Sequence, residues 1–180
     1  MAETKNIVGI VGSLRRDSFN AALMRAAQEL AGPELTLDVA DLRDFPLYDG
    51  DVERSGIPAP VVDVADRIRG ADGLLIATPE YNYSVSGVLK NGIDWLSRTD
   101  PKPFTGKPIA LMSASPGRFG GARAQYHLRQ TFVFLDGRVL NKPEVIIANA
   151  QQSIDEAGTL TDANARDLIS QLLKALADAA

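Results

Sequence analysis

Asn6-Ile7-Val8-Gly9-Ile10-Val11-Gly12-Ser13-Leu14-Arg15-Arg16-Asp17-Ser18-Phe19-Asn20 is the stretch from which the fold can be read. Its opening run of Ile and Val has the composition of a strand buried on both faces. A loop of Gly, Ser, Arg and Asn follows, and Ala21 to Leu30 then reads as a strong helix former. Strand, polar loop and helix together aim backbone N–H groups and a helix N-terminus at an anion. Ser13, Ser18 and Asn20 add neutral donors, and Arg15 adds a planar fork suited to phosphate. Ser18 or Asn20 could instead simply cap the helix. Capping alone does not require two Ser, an Asn and an Arg behind one buried strand, so phosphate binding is the stronger expectation.

The loop has no Lys-[Ser/Thr] ending of a triphosphate loop and no three-glycine dinucleotide fingerprint. Hydroxyls with a single useful Arg suit a monophosphate held by many hydrogen bonds. Flavin mononucleotide (FMN) carries such a group.

The 180 residues are most simply one domain, 1–180, with a substantial core. Net charge −4 argues against nucleic acid or a membrane surface as partner. No apolar run approaches membrane-spanning length, and Met1 leads into the first strand without a signal peptide, so a cytoplasmic protein is expected. With no cysteine there is neither disulfide nor thiolate chemistry, and one histidine, His127, leaves little for a metal. Redox chemistry would have to come from a bound cofactor.

Along the chain, Leu35 to Val39 reads as a second strand. Asp41 to Pro60 is a long irregular connection with three prolines. Val61 to Arg69 reads as a helix, Gly73 to Thr78 as the third strand, and Val88 to about Leu96 as a helix. Pro108 to Met112 is the fourth strand, and Ala122 to Leu135 a helix. Val139 to Leu140 with Glu144 to Ile147 supplies a fifth strand, and Leu160 to Ala177 closes the chain as a helix. Such alternation predicts an α/β sandwich, a parallel sheet covered on both faces. The small-residue loops all follow strands one, three and four, at the carboxyl ends where ligands sit in such sheets.

At those loops the sequence resembles the NADPH-dependent FMN reductase family. Gly12, Ser13, Arg15, Ser18 and Asn20 match its first block. Pro79 to Asn82, Gly87, Leu89 to Asn91, Asp94 and Trp95 match the second. Ser113, Ser115, Gly120, Gly121 and Arg123 match the third. Gln125 to Arg129 and Asn141 to Glu144 look most like the bacterial chromate and quinone reductases. The resemblance implies a flavodoxin-like three-layer sandwich with a five-stranded parallel sheet of order 2-1-3-4-5. It implies FMN as cofactor, NADPH or NADH as co-substrate, and quinones, with chromate as a side activity, as acceptors reduced in ping-pong fashion. Ser13, Arg15, Ser18 and Asn20, with Phe19 beside them, would hold the FMN phosphate. Pro79, Glu80, Tyr81 and Asn82 would line the isoalloxazine ring, and Ser115, Gly117, Gly120 and Gly121 would pass beneath or beside it. No side chain is expected to act as a catalytic acid or base, and no metal is expected. Two positions depart from the family pattern: Ser86 where Pro is frequent, and Gly92 where Ala is common. Both were expected to loosen the helix they begin, since glycine within a helix costs about 1 kcal/mol relative to Ala.

Two other classes compete. A flavodoxin-type electron carrier would bind FMN without nicotinamide turnover. A serine hydrolase built on Ser13 or Ser84 with His127 lacks the Gly-x-Ser-x-Gly elbow. Lys90 and Asp94 read as a surface pair, Trp95 as core or interface, and His127 as a structural hydrogen bond. The apolar residues ringing the helix from Val88, and Phe132 to Leu135, predict a homodimer or homotetramer. Arg123, Tyr126 and Glu144 would add a polar network across a second interface.

Overall fold

The computed structural model describes residues 4–180. Strand β1 (Lys5–Val11) pairs in parallel with β2 (Leu35–Ala40) on one side and β3 (Gly73–Thr78) on the other. Strand β6 (Pro108–Ala114) continues the sheet beside β3. Both central strands are buried along their whole length, which is why their sequences are unbroken apolar runs. Alternate residues feed opposite cores. Ile7, Leu75 and Met112 pack under α1 (Phe19–Leu30) and α7 (Ala163–Ala179), while Val8, Leu74 and Leu111 pack under α3 (Ala59–Gly70), α4 (Gly87–Leu96) and α5 (Ala122–Phe134). This is the expected three-layer sandwich with helices on both faces.

The fifth strand position is where the sheet differs from expectation. It holds two short strands, β7 (Arg138–Val139) against the start of β6 and β8 (Val145–Ile147) against its end, so the sheet has six strands in five positions. Pro143 between them has no N–H to give the ladder. Side chains of α5 stitch the gap: Arg129 Nη1 donates to Leu140 O at 2.8 Å, and the buried Gln125 Nε2 donates to Val145 O at 2.8 Å.

The 41–60 connection is not wholly irregular. It contains a short helix, α2 (Gly50–Ser55), capped by Asp49, with no buried residue and hence no apolar period to read. Leu42 and Phe45 fold onto α4, and the Trp95 indole N–H donates to Pro46 O at 2.8 Å. A Cβ at Gly92 would lie 2.8 Å from Leu42 Cδ1, so glycine there admits the connection rather than loosening the helix. Of the apolar residues around α4, Leu89, Ile93, Trp95 and Leu96 are buried within the chain and Val88 is half-buried, so these four need no partner to cover them.

Candidate functional site

The first loop leaves the sheet with Gly12 N–H bonded to Ala77 O at 2.9 Å, alongside β3. Ser13 Oγ accepts from Arg15 N at 3.4 Å. Among the described residues the Arg15 guanidinium makes one side-chain hydrogen bond, a long one of 3.5 Å to Asp17 O, so its fork is available to an anion. The other two side chains are not free as expected. Ser18 is the N-cap of α1, accepting from Ala21 N. Asn20 is buried and clasps the end of β6, donating from Nδ2 to Ala114 O at 3.0 Å and accepting from Ala114 N at 2.9 Å. What these positions offer a phosphate is backbone: the first-turn N–H groups of α1 at Phe19 and Asn20 have no intrahelical partner.

The loop after β3 is a small antiparallel hairpin, β4 (Glu80–Tyr81) and β5 (Ser84–Val85), that the sequence did not announce. Its two turn residues, Asn82 and Tyr83, both have positive φ (48° and 69°), the type I′ combination that matches strand twist. Asn tolerates that region; for Tyr it costs on the order of 1–2 kcal/mol, which the surroundings must offset. They do so through α5. The Glu80 carboxylate accepts from Arg123 N at 3.1 Å, caps a helix whose N-cap is glycine, and ion-pairs with the Arg123 guanidinium. The side-chain hydrogen bond between the guanidinium and Glu80 holds the Arg123 pKa above the ordinary guanidinium value. The same guanidinium lies 3.6 Å from the centre of the Tyr83 ring. The Glu80 side chain is thus an anchor to α5, while the residue still lines the cleft that the three loops enclose. Within the chain Arg123 pairs with Glu80, and the Tyr126 OH donates to Glu144 Oε1 at 3.0 Å. Ser86, the second departure, does not loosen α4 either. It caps the helix by accepting from Leu89 N and donates to Gly12 O at 2.6 Å, tying this loop to the first.

In the third loop Ser115 Oγ accepts from Gly117 N at 3.1 Å. Gly120 and Gly121 have positive φ (58° and 93°). A Cβ on Gly120 would stand 2.6 Å from Ile146 Cγ2, and one on Gly121 2.7 Å from Ser113 Cβ. The chain's own packing thus already requires glycine at both positions.

The three loops enclose a cleft of 160 Å³ at the carboxyl ends of β1, β3 and β6. Ser13, Arg15, Ser18, Phe19 and Asn20 line it from the first loop, Pro79, Glu80 and Tyr81 from the second, and Ser115 from the third. Ala114 and Pro116 also line it and were missed, although the end of the fourth strand marks their place. Asn82, Gly117, Gly120 and Gly121 do not line it. A larger cavity of 560 Å³ lies elsewhere, between the C-terminal ends of α4 and α5 at the opposite end of the sheet, and shares no residue with these loops.

Residues 5–152 match the family described as NADPH-dependent FMN reductase. The chain belongs to the NADPH-dependent FMN reductase family. Among members of this family, an NAD(P)H-dependent FMN reductase of Pseudomonas aeruginosa is 53% identical over 98% of this chain and 95% of its own. A quinone reductase of Escherichia coli is 44% identical over 99% of this chain and 96% of its own. Of solved structures, the flavoenzyme NAD(P)H:(acceptor) oxidoreductase of Paracoccus denitrificans superposes with a TM-score of 0.87 at 34% identity, covering 97% of this chain and 96% of that one. The flavodoxin-like architecture read from the sequence is thereby established. No helix among the described residues is long and apolar enough to cross a membrane.

Proposed function

We propose that this chain is a cytoplasmic NAD(P)H-dependent FMN oxidoreductase that reduces quinones, with chromate as a secondary acceptor, and that its FMN sits on the three-loop cleft. The observation that carries the site is the pairing of an unengaged Arg15 fork with the open N-terminus of α1 in a cleft bordered by the hairpin. This donor set fits FMN: hydroxyl, guanidinium and backbone N–H groups for a monophosphate at one end, and a hairpin edge for a flat ring at the other. In the 160 Å³ cleft, Ser13, Arg15 and the start of α1 would hold the phosphate end, and Pro79 to Tyr81 would line the ring. When bound, FMN accepts hydride from the nicotinamide and hands electrons onward.

The protein's part is binding and placement. Ser13, Arg15 and the N–H groups of Phe19 and Asn20 hold the phosphate. Backbone N–H groups of the hairpin face the ring edge where negative charge grows on reduction. Donor and acceptor would use this one cleft in turn, which would give ping-pong kinetics. Visible flavin bands in the pure protein, FMN and not FAD on heat release, and turnover of NADPH with a quinone test the proposal. A protein carrying flavin but showing no turnover would be an electron carrier instead. Arg15→Ala should raise the FMN dissociation constant about ten- to a hundredfold, the worth of a charge-assisted bond to phosphate. Unchanged affinity in a titration would move the phosphate elsewhere.

The oligomer proposal now rests on a narrower patch. Val133 and Phe134 at the end of α5 are 81% and 89% exposed, and Phe134 lines the 560 Å³ cavity together with Ile93 and Phe104. A second copy covering this apolar end makes the protein at least a dimer. Light scattering should give a mass of at least twice 19.3 kDa, and Phe134→Glu should lower it; a wild-type mass of one chain removes the proposal.

A further inference from the structure

The lone histidine bonds to the flavin-side hairpin. His127 Nδ1 and Ser84 Oγ are 2.8 Å apart. Ser84 directly follows Tyr83, the residue forced into the left-handed region. His127 stands four residues after Arg123, hence on the same face of α5 and one turn further along. Two successive turns of the helix therefore grip successive parts of the hairpin: Arg123 takes Glu80 and the Tyr83 ring, and His127 takes Ser84. A turn with a bulky left-handed residue persists only where its surroundings over-determine it.

We infer that His127, through Ser84, is a positioning residue that holds the hairpin in the shape that receives the flavin ring. The inference rests on the reading of the cleft as the FMN site. A Ser–His pair at this distance is also half of a nucleophilic triad, but the rest is missing. Among the described residues no carboxylate bonds to His127, and Ser84 lies in a strand paired with Tyr81, not on a strand-to-helix elbow. The bond is solvent-exposed and single, so its effect is modest and directional: it biases the turn, and binding follows.

FMN dissociation from the full-length holoprotein, followed on dilution by the return of flavin fluorescence, reads this directly. His127→Phe and Ser84→Ala should each weaken FMN about three- to tenfold, the worth of one net hydrogen bond, and the double variant should be no weaker than either. Tyr83→Gly should largely abolish the His127→Phe effect, because glycine at the second position of a type I′ turn holds that shape unaided. A merely structural role for His127 in α5 would not be rescued by a change in the hairpin. Wild-type affinity in both single variants, multiplied effects in the double variant, or no rescue by Tyr83→Gly overturns the inference. So does ester hydrolysis that Ser84→Ala abolishes. A wild-type protein that purifies without flavin and takes up no added FMN overturns the site reading instead.

Discussion

Trp95→Ala should lower the free energy of unfolding by about 3–5 kcal/mol, the range for deleting a fully buried large aromatic. Trp95 has no exposed surface and, with Asn91, joins α4 to the 41–48 segment. It packs in the core beneath α4, meets the Tyr48 ring edge-on at 5.1 Å, and donates its indole N–H to Pro46 O. Alanine would leave a void and remove the aromatic half of the 41–48 docking, while Asn91 Nδ2 still donates to Pro46 O at 2.8 Å. Trp95→Phe keeps most of the volume and loses only the N–H to a carbonyl that keeps its Asn91 partner, so it should cost about 0.5–1.5 kcal/mol. Urea titrations of the three proteins compare them directly. A loss under about 1 kcal/mol for alanine would mean the connection detaches at little cost.

The order of the sheet was legible because its central strands are buried on both faces and so leave unbroken apolar runs in the sequence. The place of the site followed from that order, since polar loops after parallel strands must gather at one end. Several features were not legible, for physical reasons. The hairpin at 80–85 has strands of two residues, too short for any period, and a turn with Tyr where glycine would have signalled it. Helix α2 is exposed all round. The roles of Glu80 and Asn20 depend on partners 43 and 94 residues away, which no local pattern records. At Gly120 and Gly121 the atoms that exclude a Cβ come from Ile146 in β8 and Ser113 in β6, residues distant in sequence that no local pattern records. The apolar residues on α4 suggest an interface in the sequence because nothing local shows that Leu42 to Tyr48, within an irregular connection, folds back to cover them.

Asn20→Ala should destabilise the fold by about 2–4 kcal/mol and weaken FMN beyond what the stability loss explains. The amide satisfies both polar groups of one buried residue, Ala114, in the last turn of β6 before the cleft. Alanine leaves that N–H and C=O unpaired where water has poor access, and such groups carry nearly their full desolvation cost. The same clasp fixes the distance between the N-terminus of α1 and the Ala114–Pro116 wall, both of which line the cleft. Releasing it loosens the phosphate end from the ring side even in molecules that stay folded. Asn20→Asp makes the sharper comparison. It is nearly isosteric and still accepts from Ala114 N, but sets a carboxylate oxygen against Ala114 O where a donor stood. If the clasp works through both hydrogen bonds, Asp should be at least as damaging as Ala despite filling the space. Urea unfolding and FMN titration of the two variants separate the effects. Alanine within about 0.5 kcal/mol of the wild type, or an aspartate variant that behaves like asparagine, would show that volume and not bonding holds this corner together.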